Sequence, residues 1–386
     1  MRIGFVHSNE FPSLEADLVQ VVQVCRAFHA CGQEVTLFVP RSKANSSDAA
    51  ARADAARLYG SELPYEVRFI PATEIFGKLK VLGTVKGTLE AIRQTPLDLI
   101  YTRNPWTVAF LPKAGVPYVF EAHEERVHLG SKFLNSFLRS TIVKNSRKPS
   151  CVMMVAISKA LCDIWESFGV PRAKLLDAHD GVDLSLFNLS LSKEAARQQL
   201  RLSNKRKIVV YTGMMTANRG IEMILAAASV LPELEFQLVG GKDGEIEHWK
   251  TEVENLSLHN VHFPGRVPHR DIPAWLAAAD ILLMMWTWQV PTIRGCSPMK
   301  MFEYMAAERL IVGPGFPTVE EVMEHETDGL LFEPDNIGAM IATLRKAAQL
   351  TNSPMPRAAR EKVAQHYTWQ ARCQRILDGL AERGMK

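Results

Sequence analysis

No Cys-x-x-Cys pair and no zinc-like ligand spacing occurs among the six cysteines of this 386-residue chain: Cys25, Cys31, Cys151, Cys162, Cys296 and Cys373. A chain of this length buries enough surface to fold without staples, so the thiols read as reduced side chains of a cytoplasmic protein. No apolar run approaches the roughly 18 residues of a membrane span. The N-terminal run from Ile3 meets Ser8, Asn9 and Glu10 at once, so it lacks the apolar region of a signal peptide and reads as a first strand. Neither sign of charge is in excess: 45 Lys and Arg against 42 Asp and Glu leave +3, too little to require a polyanionic nucleic acid. Neither the first strand near residues 2–7 nor the one near 208–213 leads into Gly-x-Gly-x-x-Gly, which argues against a dinucleotide dehydrogenase. There is no low-complexity tract and no tandem repeat.

Apolar material is plentiful, at 47% of residues beside 23% charged ones, enough for large buried sheets. At roughly 100 to 200 residues per domain, two domains are expected. β-rich runs near residues 2–7, 34–39, 66–70, 98–101, 117–121 and 152–157 alternate with helical patterns, the signature of a parallel sheet with crossover helices. Leu14, Leu18, Val21, Val22, Cys25, Phe28 and His29 recur at helical spacing and stop before Gly32, closing a first βαβ unit. The rhythm breaks over residues 184–205. It resumes with Ile208-Val209-Val210-Tyr211-Thr212-Gly213 and runs near 235–239, 261–263, 280–286, 309–313 and 329–333. The fold class is therefore α/β with two Rossmann-like domains. Residues 1–185 form an N-terminal domain, 186–365 a C-terminal one, and 366–386 a terminal helix that packs back on the first. Open sheets of this kind bind ligands beyond the carboxyl ends of their strands, which sets two such domains around a central cleft.

The segment Arg294-Gly295-Cys296-Ser297-Pro298-Met299-Lys300-Met301-Phe302-Glu303-Tyr304 follows a strand. Ser297 is a suitable N-cap and Pro298 a suitable first helical residue, so a helix start is expected here, with N–H groups and dipole aimed at an anion such as a diphosphate. Lys300 in the first turn opposes the helix dipole and suits a neighbouring phosphate. Glu303, one turn deeper among Phe302, Tyr304 and Met305, needs a hydrogen-bond partner, and a ribose diol qualifies. An ordinary capped helix, with its Glu reaching solvent or an Arg, is the plainer reading of this segment alone.

This segment resembles the Lys-Leu-Phe-Glu-Tyr-Met-Ala run of retaining family 4 (group 1) glycosyltransferases, whose fold is the double-Rossmann GT-B. The likeness continues through Val155-Ala156-Ile157-Ser158-Lys159-Ala160, Asp180-Gly181-Val182-Asp183, Gly213 to Gly220, Val261 to Pro268 and Ala279-Asp280-Ile281, in order and spacing. The resemblance implies transfer of a hexose-type sugar from a nucleotide diphosphate sugar, UDP ahead of GDP, to an acceptor hydroxyl in polysaccharide or glycolipid assembly. It implies retention and a saccharide or lipid-linked acceptor. It also assigns the first domain to the acceptor and the second to the donor.

In this family Glu303 matches the Glu that holds the ribose hydroxyls, while the sugar-contacting Glu eight residues earlier falls on Gly295. Arg219 matches a cation that neutralises the leaving diphosphate; the family's other cation falls on Met214, where Arg294 is a possible substitute. The resemblance adds Ser297, Pro298, Met299, Lys300, Arg266 and Val267 to the donor site. His123, just past the strand Tyr118-Val119-Phe120-Glu121-Ala122, matches a His near the reacting sugar, so His123 and Arg219 are the catalytic candidates. Glu10, in a loop lacking the family's Gly-Gly, and Arg103 are acceptor candidates. His123 and His128 lie five apart and do not make a zincin pair, and Asp-x-Asp is absent. Neither metal nor cofactor is indicated.

Residues 132–148 carry Lys132, Arg139, Lys144, Arg147 and Lys148 beside Phe133, Phe137, Leu138 and Ile142, with no acidic residue between Arg126 and Cys162. This reads either as a crossover helix with a solvated face or as peripheral contact with the inner face of an anionic membrane. Two further readings remain for the whole protein. One is a sugar-nucleotide 2-epimerase on the same architecture; the other, prompted by Gly295 and Met214, is a catalytically silent nucleotide-sugar binder.

Overall fold

The computed structural model describes the whole chain apart from residues 44, 46, 61, 71–79, 127–130, 188–190, 351 and 386, and apart from the side chains of 80–84. His128, and residues 188–190 of the expected break between domains, lie outside the described residues. The chain divides into two compact units: Met1–Asp180 together with Trp369–Lys386, and Gly181–Thr368.

The first unit is built on strands β1 (Arg2–Val6), β2 (Glu34–Pro40), β3 (Glu66–Ile70), β4 (Leu99–Thr102), β5 (Tyr118–Ala122), β6 (Cys151–Ala156) and β7 (Leu175–Asp177). They form one parallel sheet in the order β3-β2-β1-β4-β5-β6-β7. β7 was not among the expected strands. With three residues it is too short to show a period, and only its pairing with β6 makes it a strand. The terminal helix Trp369–Glu382 packs against the helix Ala16–Ala30 and β6 of this unit.

The second unit carries β8 (Lys207–Gly213), β9 (Leu234–Gly240), β10 (Val261–Gly265), β11 (Ile281–Leu283), β12 (Leu310–Pro314) and β13 (Leu330–Phe332) in the order β10-β9-β8-β11-β12-β13. Every pair is parallel. A parallel strand is covered on both faces and reads as a continuous apolar run. On β8, Ile208 and Val210 enter one core with Leu282, Met284 and Phe302, while Val209 and Tyr211 enter the other with Ile281, Leu283 and Leu225. Each buried side chain of this size contributes about 1.5–3 kcal/mol relative to exposure.

Both sheets wind outward in two directions, from β1 and β4 in one unit and from β8 and β11 in the other. At such a reversal the neighbouring connections leave toward opposite faces, and a crevice opens between the strand ends. The segments after β8 and β11 thus hold most candidate residues of the second unit, and Arg266 and Val267 follow β10. Those after β4 and β5 hold Arg103 and His123. No helix among the described residues is long and apolar enough to cross a membrane.

Candidate active site

β8 ends on Gly213, whose φ of 136° is a conformation other residues rarely adopt. A Cβ there would stand 2.7 Å from Lys300 Nζ, so glycine gives the lysine its space. The loop that follows is tied down from below: Trp249 Nε1 donates to Met215 O (2.6 Å), Met215 N to Glu245 Oε2 (3.2 Å), and Thr287 Oγ1 to Asn218 O (2.9 Å). It closes in the short turn Ala217–Arg219, and Gly220, with φ 71°, starts the helix Ile221–Val230. Arg219 is thereby held with a buried Nε that has no hydrogen-bond partner among the described residues.

After β11 the chain reaches Ser297 and the helix Met299–Ala306. Pro298, not the expected Ser297, is the N-cap of this helix. Ser297, one residue before that cap, is buried. Lys300 lies over the rings of Tyr211 (4.3 Å) and Trp286 (5.2 Å). Burial, then the charge of Arg219, lowers its pKa to about 7, against a smaller pull from Glu303. Lys300 and Arg219 are thus close enough to repel, and neither forms an ion pair among the described residues. A cation pair without an anion in a partly desolvated place is suited to one.

One turn along the helix, Glu303 Oε1 accepts from His269 Nε2 at 2.7 Å. Burial works against charge on His269, but the hydrogen bond and charge of Glu303 outweigh it and raise its pKa. The Glu303 side chain is 14% exposed. Its partner in this structure is therefore a histidine that the sequence reading did not name. Arg266, three residues earlier, is exposed, and Val267 packs partly against the core. Gly295 is buried, its N–H donating to Thr292 O at 3.1 Å in a turn that offers no side chain. Met214 is exposed. Arg294 is exposed as well.

In the first unit, Glu121 near the end of β5 and His123 just past it bring their side chains together. His123 Nε2 lies 2.5 Å from Glu121 Oε1. Gln20 Nε2 donates to the same oxygen (2.7 Å), while the Tyr101 hydroxyl and the Arg372 guanidinium (2.9 Å) serve Oε2. The Glu121 carboxyl is held well below its ordinary range: burial opposes its charge, and Arg372 and His123 more than offset that. Burial and Arg103 lower the pKa of His123, against the pull of Glu121, so the ring is neutral near pH 7. Arg103 Nη1 is anchored on the helix Ala16–Ala30 through Gln20 Oε1 (2.8 Å) and Asp17 O (3.2 Å). Glu10 Oε2 accepts from Lys43 N at 3.3 Å.

Glu121, Gln20, Asp180, Arg372 and His269 are not among the site candidates that the sequence offers. Glu121 alone carried a local signal, a carboxylate within an apolar strand. The Asp280 of Ala279-Asp280 has a structural place, accepting from Ile208 N (2.7 Å), Lys193 (2.9 Å) and Arg197 (2.5 Å). The basic segment is the helix Lys132–Ser146, with Leu138 and Ile142 buried and Phe133 and Phe137 exposed by 79% and 54%.

The family model for Glycosyltransferase Family 4 matches residues 19–186, and that for Glycosyl transferases group 1 matches 206–349. Over 233 residues the chain is 26% identical to the amylovoran biosynthesis glycosyltransferase AmsK of Erwinia amylovora, covering 56% of this chain and 55% of that protein. Over 167 residues it is 28% identical to the alpha-galactosylglucosyldiacylglycerol synthase of Streptococcus pneumoniae, covering 41% and 42%. The chain spans about half the length of the curated relatives it matches. Among solved structures it is similar to Anabaena Alr3699/HepE in complex with UDP and glucose, with a TM-score of 0.76, 18% identity and 99% of each chain covered. Two matched models of one family, ordered along the chain and on GT-B structural neighbours, place this protein among the family 4, group 1 glycosyltransferases.

Proposed function

We propose that the protein is a retaining glycosyltransferase that moves a hexose-type sugar from a nucleotide diphosphate sugar, UDP ahead of GDP, to an acceptor hydroxyl in polysaccharide or glycolipid assembly. The observation that carries the donor half is the unpaired Arg219 and Lys300 beside Glu303, which follows one helical turn after Lys300. The rise from Lys300 to Glu303 is about 4.5 Å along the axis, a step suited to a phosphate and the ribose esterified to it. Arg219 and Lys300 meet the diphosphate, with Ser297, Pro298 and Met299 at the helix start. Glu303 takes the ribose hydroxyls with the oxygen His269 leaves open. Arg266 and Val267, on the segment leading to His269, line the nucleoside end, and Gly295 leaves the sugar end without a carboxylate.

As the glycosidic bond breaks, negative charge grows on the diphosphate, and fixed cations stabilise it more than they stabilise the bound donor. Protein cations in that role make the reaction metal-independent. In the first unit, His123 is the catalytic candidate, with Arg103 and Glu10 for acceptor hydroxyls. UDP is favoured because the similar Anabaena protein was solved with UDP and glucose. Saccharide and lipid-linked acceptors are favoured by the names of the amylovoran and diacylglycerol relatives. The exposed Phe133 and Phe137 among the basic residues of 132–148 suit peripheral contact with the inner face of a membrane. Co-sedimentation with anionic but not neutral vesicles, lost in Phe133→Ser/Phe137→Ser, checks that contact.

The test of the donor reading is a thermal-shift screen of UDP, GDP, ADP and TDP sugars, since a ligand bound only by the native state raises its melting temperature. No shift with any of them removes the donor site. Donor alone, epimerised without nucleotide release, would make the protein a 2-epimerase. Binding without turnover on any acceptor would make it a silent binder. The anomeric configuration of the product, read by NMR, decides retention.

A further inference from the structure

On the reading that His123 serves the reacting centre, we propose that Arg372, carried by the terminal helix Trp369–Glu382, is a positioning residue for His123 that acts through the Glu121 carboxylate. A fully buried carboxylate persists in charged form only when its oxygens are hydrogen-bonded and a counter-charge is near. The side chains of Glu121 and Arg372 are 0% and 2% exposed, so water does not supply either need. Oε1 is hydrogen-bonded by Gln20 and His123 and Oε2 by Tyr101, while Arg372 meets Oε2 as an ion pair at 2.9 Å, its Nε, Nη1 and Nη2 making no hydrogen bond among the described residues. Arg372 is the guanidinium in direct contact with the carboxylate among the described residues. Its Nε also lies 3.9 Å from Asp180 Oδ1, and Gln20 Nε2 reaches that oxygen at 3.4 Å.

The charges balance. Glu121 and Asp180 are negative, Arg372 and Arg103 positive, and His123 completes the set as a neutral ring. Neutral, the imidazole donates from Nε2 to Glu121 and is left with Nδ1 as its acceptor, one tautomer fixed by one carboxylate. The groups that bear on it come from every side: Glu121 on its own strand, Arg103 after β4, and Asp180 after β7. Behind Glu121 stand Arg372, Tyr101 and Cys25 of the helix Ala16–Ala30.

Without Arg372 the cluster carries one uncompensated negative charge. The nearest group able to take up a proton and remain paired is His123, which then becomes a cation with both ring nitrogens as donors. The effect of Arg372 is thus on the protonation and tautomer of His123, not only on packing. An apolar residue of equal volume would fill the space beneath the terminal helix but would leave Glu121 without its counter-charge.

The experiment is a titration of the His123 imidazole by NMR on histidine-labelled full-length protein, with the signal assigned from a His123→Gln spectrum. Arg372→Gln is expected to raise the His123 midpoint by about one pH unit or more. Arg372→Lys, which keeps the charge without the fork, returns most of that rise. In a transferase assay Arg372→Gln lowers kcat about tenfold at neutral pH with donor KM unchanged. Should Arg372→Gln alone not fold, the charge-matched Asp180→Asn/Arg372→Gln variant is read against Asp180→Asn, with the same rise expected. A His123 midpoint that stays put in a folded variant overturns the proposal, as does a higher donor KM with kcat intact. The titration needs no substrate, so wild-type protein that proves inactive refutes the transferase reading without touching this measurement.

Discussion

Donor affinity should fall with rising pH, and Lys300 is the reason. In the ligand-free protein its pKa is lowered to about 7, because burial and the neighbouring Arg219 disfavour the ammonium. A bound diphosphate reverses the second effect and restores the charge, so a donor that binds only the protonated form draws a proton from solvent onto any neutral lysine. The apparent Kd then scales as 1 + 10^(pH − 7), which is about 1.1 at pH 6, about 2 at pH 7 and about 11 at pH 8. From pH 6 to 8 the loss is roughly tenfold, or about 1.4 kcal/mol. A nucleotide sugar is a diphosphate diester whose own charge does not change over this range, so the slope belongs to the protein. His269 also has a raised pKa and feels Glu303, which makes a control necessary. Lys300→Arg keeps its charge throughout, and the difference in slope between it and the wild type isolates Lys300. Calorimetry at pH 7 in two buffers of different ionisation heat should show about half a proton taken up per donor bound, rising toward about one at pH 8. The folding signature has the matching sign. Between about pH 7 and the ordinary lysine pKa of 10.5 the unfolded chain holds a proton that the native protein has released, so ligand-free stability attributable to Lys300 rises with pH across that window. Equal proton uptake of zero in wild type and Lys300→Arg, or a donor Kd flat from pH 6 to 8, would refute the reasoning.

Gly213→Ala places a methyl 2.7 Å from Lys300 Nζ at a φ of 136° and should weaken donor binding at least about tenfold by calorimetry, with a stability loss of about 1–2 kcal/mol. Tyr304→Phe strips the buried Thr212 N–H (2.8 Å) and hydroxyl (3.0 Å) of their shared partner and should cost about 1–3 kcal/mol in urea unfolding, with m unchanged. Glu303→Gln should lower affinity for a nucleotide sugar by about ten- to a hundredfold. It should also erase the preference for ribose over a 2′,3′-dideoxyribose analogue in competition binding; a preference that survives would remove Glu303 from the ribose.

The sequence exposed most of both sheets because each parallel strand, covered on two faces, is an unbroken apolar run bounded by helical patterns, as Ile208 to Gly213 illustrates. β7 escaped because three residues carry no period and its existence depends on β6. The cap at Ser297 was misplaced by one residue for a related reason. Local chemistry favours serine as a cap and proline as the first helical residue, but Pro298 takes an extended conformation and the helix starts at Met299. At the site, Arg219 and Lys300 could each be picked from their own segments, yet their mutual repulsion is a tertiary fact, created where the loop after β8 meets the helix Met299–Ala306. Glu303 and Glu121 make the same point from the other side. A carboxylate among apolar neighbours states locally that it requires a donor or counter-charge. Who answers is decided by the fold: His269 from the segment after β10 for one, and for the other Arg372, far down the chain on the helix that returns to the first unit. Sequence therefore locates the demand of a site more readily than its supply. The partners of its buried charges are where substitutions remote from the substrate should alter the chemistry.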